Sequence, residues 1–129
     1  VIQSAVRVPK TGRLERRVLS INEIVGYDPI EGRFSFVELF SWDPATDTHV
    51  FKGEGTSYLL EQKIAAMRGI PLSEVRRIYE ELEVRTEILK ILMKQKMFNY
   101  PEVWQILKTI SKIGVYKARD RLKGGGKLI

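Results

Sequence analysis

The hydrophobic period changes once along this chain, from two to about 3.6, and the change falls at Gly53-Glu54-Gly55. Before that point apolar residues alternate with polar ones; after it they recur every three or four positions. Strands first and helices afterwards predict an α+β or two-subdomain layout. The expected division is 1–52 for the strands, 53–113 for a helical subdomain and 114–129 for a basic flexible tail.

In the first part, Val6 and Val8 end a short run, and Pro9-Lys10-Thr11-Gly12 supplies turn chemistry. The run Leu14 to Val25 is rich in β-branched residues. Leu19 and Ile21 face one way and Val18 and Ile24 the other, which predicts a strand partly buried on both sides. Asp28-Pro29 sits in a loop from Gly26 to Gly32. Next, Phe34, Phe36, Phe40 and Trp42 share one face, with Ser35, Val37, Leu39 and Ser41 on the other. That aromatic face is expected to be core. Asp43 to Asp47 makes the next turn and Thr48 to Phe51 a closing strand, so the pattern describes an antiparallel meander.

Three helices are predicted beyond Gly55. Thr56 or Ser57 can cap the first, which carries Leu60, Ile64 and Met67 and stops at Gly69. Ser73 is the expected cap of a long second helix, with a stripe of Val75, Ile78, Tyr79, Leu82, Leu89, Leu92 and Met93 widened by Ile88 and Ile91. Asn99-Tyr100-Pro101-Glu102 reads as a third start, followed by Val103, Ile106, Leu107, Ile110 and Ile113. Gly114 is placed to end or kink that helix, and Gly124-Gly125-Gly126 is expected to fray.

Composition removes several chemistries. There is no cysteine, hence no disulfide framework, thiol nucleophile or cysteine-held zinc, and there is one histidine. No apolar run approaches the roughly 18 residues of a membrane span, so no membrane insertion is expected. Charge is uneven. Residues 1–93 hold 13 basic and 14 acidic side chains, net −1, whereas 94–129 hold 9 and 2, net +7. Such a stripe suits an anionic partner, although a solvated Lys-rich helix face is the plainer reading. The chain begins at Val1 without a signal-peptide pattern, and is expected to be a piece of something longer.

No catalytic constellation is visible. Gly124-Gly125-Gly126-Lys127 resembles the end of a phosphate loop, yet Arg121 stands where the first glycine belongs and Leu128 where Ser or Thr must hold magnesium. His49, with Asp43 and Asp47 near in sequence, invites a metal reading, but a surface or hydrogen-bonded histidine is favoured and no metal site is expected. Glu80, Glu81, Glu83 and Glu87 alternate with Arg76, Arg77, Arg85 and Lys90 as a charged helix face. Arg16-Arg17 stands apart. Neighbours on a strand point to opposite faces, so one of the two looks inward, suited to a phosphate or a carboxylate.

Four segments in order resemble a known family. Arg16 to Gly26 looks like the RR-V-x-x-I-x-E-I-x-G segment of archaeal type II/IV secretion-system ATPases, the motors of archaellum and type IV pilus assembly. Phe40 to Asp47 resembles their F-x-W-D-P-x-x-D turn. Leu59 to Gly69 with Glu80 to Leu89, and then Asn99 to Val103, are similar to their carboxy-terminal helices. The resemblance spans roughly residues 7–113 and leaves the basic end unmatched. It implies the last strands at the edge of a RecA-like motor sheet plus a three-helix carboxy-terminal subdomain. The family's Walker boxes, and with them ATP and Mg2+, would lie upstream of the arginine pair. It further implies a cytoplasmic location, peripheral at the inner face of the membrane. The implied partners are neighbouring ATPase subunits and a membrane platform protein. In that frame Arg16 and Arg17 are candidates for a nucleotide or subunit-interface role. The competing expectations are a small basic nucleic-acid-binding module, the less expected partner, and an adaptor that docks a partner helix.

Overall fold

A computed structural model describes residues 1–129. They form an α+β protein with a four-stranded antiparallel sheet and four helices, divided into two compact units, Val1–Glu74 and Val75–Ile129.

The first unit is the expected meander, β1 (Ile2–Arg7), β2 (Leu14–Asp28), β3 (Arg33–Asp43) and β4 (Thr48–Phe51), in sheet order β1-β2-β3-β4. Carboxylates close two of the turns. Asp28 Oδ1 accepts from the amides of Ile30 (2.9 Å) and Glu31 (3.2 Å), and Asp43 Oδ1 from that of Ala45 (3.0 Å). The strands are unequal. β1 pairs with β2 only from Leu14 to Ser20, and β4 with β3 only from Phe40 to Asp43. Between those limits Asn22–Asp28 and Arg33–Glu38 make a ribbon of two strands alone. Irregularities at Ile21/Asn22 and Ile24/Gly26 shift its register.

A π-type turn, Leu59–Ile64, runs into the short α1 (Ala65–Met67), and a 3-10 turn, Leu72–Glu74, closes the unit. Ser57 acts as the expected cap, its Oγ accepting the Leu60 amide at 3.0 Å. The expected cap Ser73 lies instead inside the 3-10 turn, and Val75 occupies the cap position of the helix that follows.

The second unit holds α2 (Arg76–Lys94), α3 (Tyr100–Ile113) and α4 (Val115–Lys123) around Val84, Ile88, Leu92, Ile106, Ile110 and Ala118. Of the stripe predicted for α2, Ile78, Tyr79, Ile88 and Leu92 are buried, joined by Val84, which the prediction lacked, while Leu89 and Met93 are 50% and 63% exposed.

The segment expected as a basic flexible tail, 114–129, is a correction. Gly114, at φ +88°, ends α3 and lets the chain restart as α4, whose Val115, Ala118 and Leu122 are buried. The glycine run closes α4 as a Schellman cap. Gly125 takes φ +79° and the Gly126 amide donates to Arg121 O at 2.9 Å. A Cβ on Gly126 would stand 2.7 Å from Arg121 Cγ and 2.9 Å from its carbonyl oxygen, so the close turn needs glycine there. The turn sends Leu128 back into the helical core. The expected border at 52/53 also moves, to 74/75. The first helical turn stays with the strands because Glu23 of β2 binds its start.

Candidate functional site

β2 places the arginine pair as period two requires: Arg16 is exposed and Arg17 half-buried. Arg17 makes a forked contact with Asp47, Nε to Oδ1 at 2.8 Å and Nη2 to Oδ2 at 2.9 Å. Nη2 also donates to Glu15 Oε2 at 2.8 Å, and Nη1 to the Arg16 carbonyl at 2.9 Å. Asp47 belongs to the turn between β3 and β4 and has φ +52°, and its Oδ1 further accepts Trp42 Nε1–H at 2.9 Å. Arg17 first, and the Trp42 indole second, hold the Asp47 carboxyl well below the usual carboxylate range. The same contact with Asp47 pushes the Arg17 guanidinium further up. The arrangement latches β2 to the β3–β4 turn across 30 residues of sequence.

The residues once grouped around a metal reading go separate ways. His49 Nε2 lies 2.8 Å from the Val18 carbonyl, Asp43 is bound to its own turn, and Asp47 holds Arg17. Along α2, Arg85 bonds Glu81 at 2.8 Å and Arg76 lies 3.4 Å from Glu80. Glu87 leaves that face to meet Lys123 of α4 at 2.8 Å, and Lys123 lowers its carboxyl pKa.

Sequence reasoning missed Glu23, which is 5% exposed and the chief polar group of the first unit's interior. It accepts the hydroxyl proton of the fully buried Ser57 and, at 3.1 Å, the Leu59 amide. A carboxylate at a helix start is favoured by the unpaired amides there. The available signal was a glutamate between Ile21 and Ile24, in a strand whose faces were both apolar.

The aromatic face of β3 is a second correction. Phe40 stacks on Phe51 at 4.8 Å, and both are half-buried. Phe34 and Phe36, expected as core, are 55% and 60% exposed. They lie on the two-strand ribbon opposite Tyr27 and Ile24, themselves 56% and 58% exposed. Tyr27 and Phe34 have ring centroids 4.8 Å apart, and Phe34 and Phe36 6.3 Å. Buried Leu39 lies in the strand positions read as the opposite face.

In the helical unit a cavity of about 350 Å³ lies between Leu92, Met97, Ile106, Leu122 and Leu128. Elsewhere on the helical unit are two cation–aromatic pairs, Lys108 over Trp104 at 5.3 Å and Arg119 over Tyr116 at 5.5 Å. No helix is long and apolar enough to cross a membrane.

No family model matches the chain. It is similar to two proteins of Methanocaldococcus jannaschii. The uncharacterized protein MJ0900 is 41% identical over 101 residues, 78% of this chain. The uncharacterized protein MJ1287 is 39% identical over 115 residues, 89% of this chain. The chain spans only 18% of the length of the first and 39% of the second.

Proposed function

We propose that this chain is the carboxy-terminal, force-transmitting part of an archaeal type II/IV secretion-system ATPase of the archaellum and pilus motor kind. The observation that carries the reading is the ordered run of four family-like segments between Arg16 and Val103. Two archaeal relatives several times longer than their match, or more than twice, support its being one part of a larger machine. In this reading the sheet edges a RecA-like motor sheet. The helical unit meets neighbouring subunits or a membrane platform protein from the cytoplasmic side.

The residues present do not fit a nucleotide. The Arg17 fork is filled by Asp47 and Glu15, and Gly124–Gly126 are spent on a helix cap. No step of ATP chemistry is therefore assigned to this chain. Arg16, exposed beside the latch, is the member of the pair open to a subunit contact. Purified protein should show no magnesium-dependent ATP turnover above background. The genome should encode a G-x-x-x-x-G-K-[ST] motif in frame upstream of Val1. Turnover by the 129-residue chain, or no such motif upstream, overturns the reading.

A nucleic-acid module is the second reading, favoured by Lys108 over Trp104 and Arg119 over Tyr116 on a basic helical unit. A gel shift at low salt is expected to stay blank. Binding that weakens steeply with salt would put this reading first.

A further inference from the structure

The outer face of the α2–α3 pair joins an apolar strip to free positive charge, and the motor reading uses neither. On α3, Tyr100, Trp104 and Leu107 follow helical spacing and are 76%, 47% and 41% exposed. Leu89 and Met93, one turn apart and half or more exposed, repeat the pattern on α2. Leu89 and Leu107 line one groove with Arg85 and the buried Ile88 and Ile110, so the two apolar rows lie side by side. Lysines follow each row by one residue: Lys90 and Lys94 come after Leu89 and Met93, and Lys108 after Leu107, with Lys112 one turn further on. One residue is about 100° of helix, so the lysines fall on the two outer borders of the strip. All four are exposed and none makes an ion pair, although Lys108 lies over the Trp104 ring.

We infer that this face docks on an anionic lipid surface, with α2 and α3 lying along the bilayer and not across it. Apolar rows between lysine borders are what an element in the membrane interface needs. Aromatic rings sit at headgroup level, aliphatic side chains reach the acyl boundary, and lysine stems snorkel so that their ammonium groups meet the lipid phosphates. Charge selects this occupant. A second copy would bring its own lysines against these, and like charge opposes that pairing. A nucleic acid would use the lysines but not Leu89, Met93 and Leu107, which neither stack on bases nor bond phosphates, and which lie between the charged borders. An uncharged surface would leave the lysines without a partner. A lipid surface that is anionic outside and apolar beneath answers both parts of the pattern. The inference needs no ATPase. An ATP assay and the measurement below therefore fail independently.

Sedimentation of the 129-residue protein with lipid vesicles tests it. Phosphatidylcholine vesicles with about 30 mol% phosphatidylglycerol should bind the protein at low salt, and pure phosphatidylcholine vesicles roughly tenfold more weakly or worse. Lys94→Gln combined with Lys108→Gln should weaken binding about 25-fold, at roughly fivefold per lysine beside a charged leaflet. Met93→Ser combined with Tyr100→Ser leaves the charge unchanged and should weaken it about tenfold or more. Both positions are well exposed, so the melting temperature of that variant should stay within about 2 °C of the parent's. Trp104 emission should move to the blue on the anionic vesicles, and Trp104→Phe should abolish the shift. Absence of binding to anionic vesicles overturns the inference, as does equal binding to neutral ones. Binding undiminished in the serine variant overturns it too. A duplex bound as tightly as the vesicles, with no loss in the serine variant, overturns it in favour of a nucleic acid.

Discussion

Asp47 is the acceptor at which three donor hydrogens converge: two from Arg17 and one from Trp42. Its folded pKa lies below its unfolded value of about 3.8, so the latch stabilises the fold fully above that value and loses its contribution as pH falls beneath it. Urea midpoints at pH 7 and at pH 2.5 should therefore differ more for the natural protein than for Asp47→Asn. A variant with the same acid sensitivity would show that the latch carries no stability. Trp42 emission reports the same site, and should shift in Asp47→Ala at neutral pH. Of this cluster, one inward arginine was legible because strand geometry forces a choice between neighbours, but the structure decided that it is Arg17. Its partner was not, because Asp47 is far along the chain and was read as turn chemistry or as a neighbour of His49.

At the level of elements, two polar devices decide where helices begin and end. Glu23 ties β2 to the turn that starts at Ser57. Glu23→Ala leaves Ser57 and the Leu59 amide without their acceptor, a cost of roughly 1–3 kcal/mol. Exchange at residues 59–67 should quicken in that variant, and unchanged rates there would remove the anchor from the account. The Schellman cap after α4 is the second device. Gly126→Ala must open the turn that returns Leu128 to the core. Leu128→Ala, which enlarges the neighbouring cavity, should cost about 2 kcal/mol, the low end for buried leucine because that cavity is open. Both changes should lower the urea midpoint, and a midpoint equal to the parent's in both would mean that the end of the chain does not contribute to packing.

For the whole molecule, charge follows the division into units. Residues 1–74 carry 9 basic and 10 acidic side chains, net −1, and 75–129 carry 13 and 6, net +7. Expressed singly, a 75–129 piece should be retained by a cation exchanger at pH 7 and a 1–74 piece should flow through. Equal retention of the two pieces would show that the charge does not follow the division.

The amino-acid order alone determined the class. Period two, two Asp-Pro turns and period 3.6 after Gly53 suffice for a meander followed by helices, because each pattern is local and repeats every few residues. What no local pattern holds was decided only by the tertiary structure. Alternation reports that Phe34 and Phe36 share a face, but not whether anything covers it, and here the flanking strands stop short of them. Glycine-rich composition looked like fraying at residues 124–126. The conformation of those glycines became a cap because Leu128 had a core to enter, and burial is a property of distant partners rather than of neighbours in sequence.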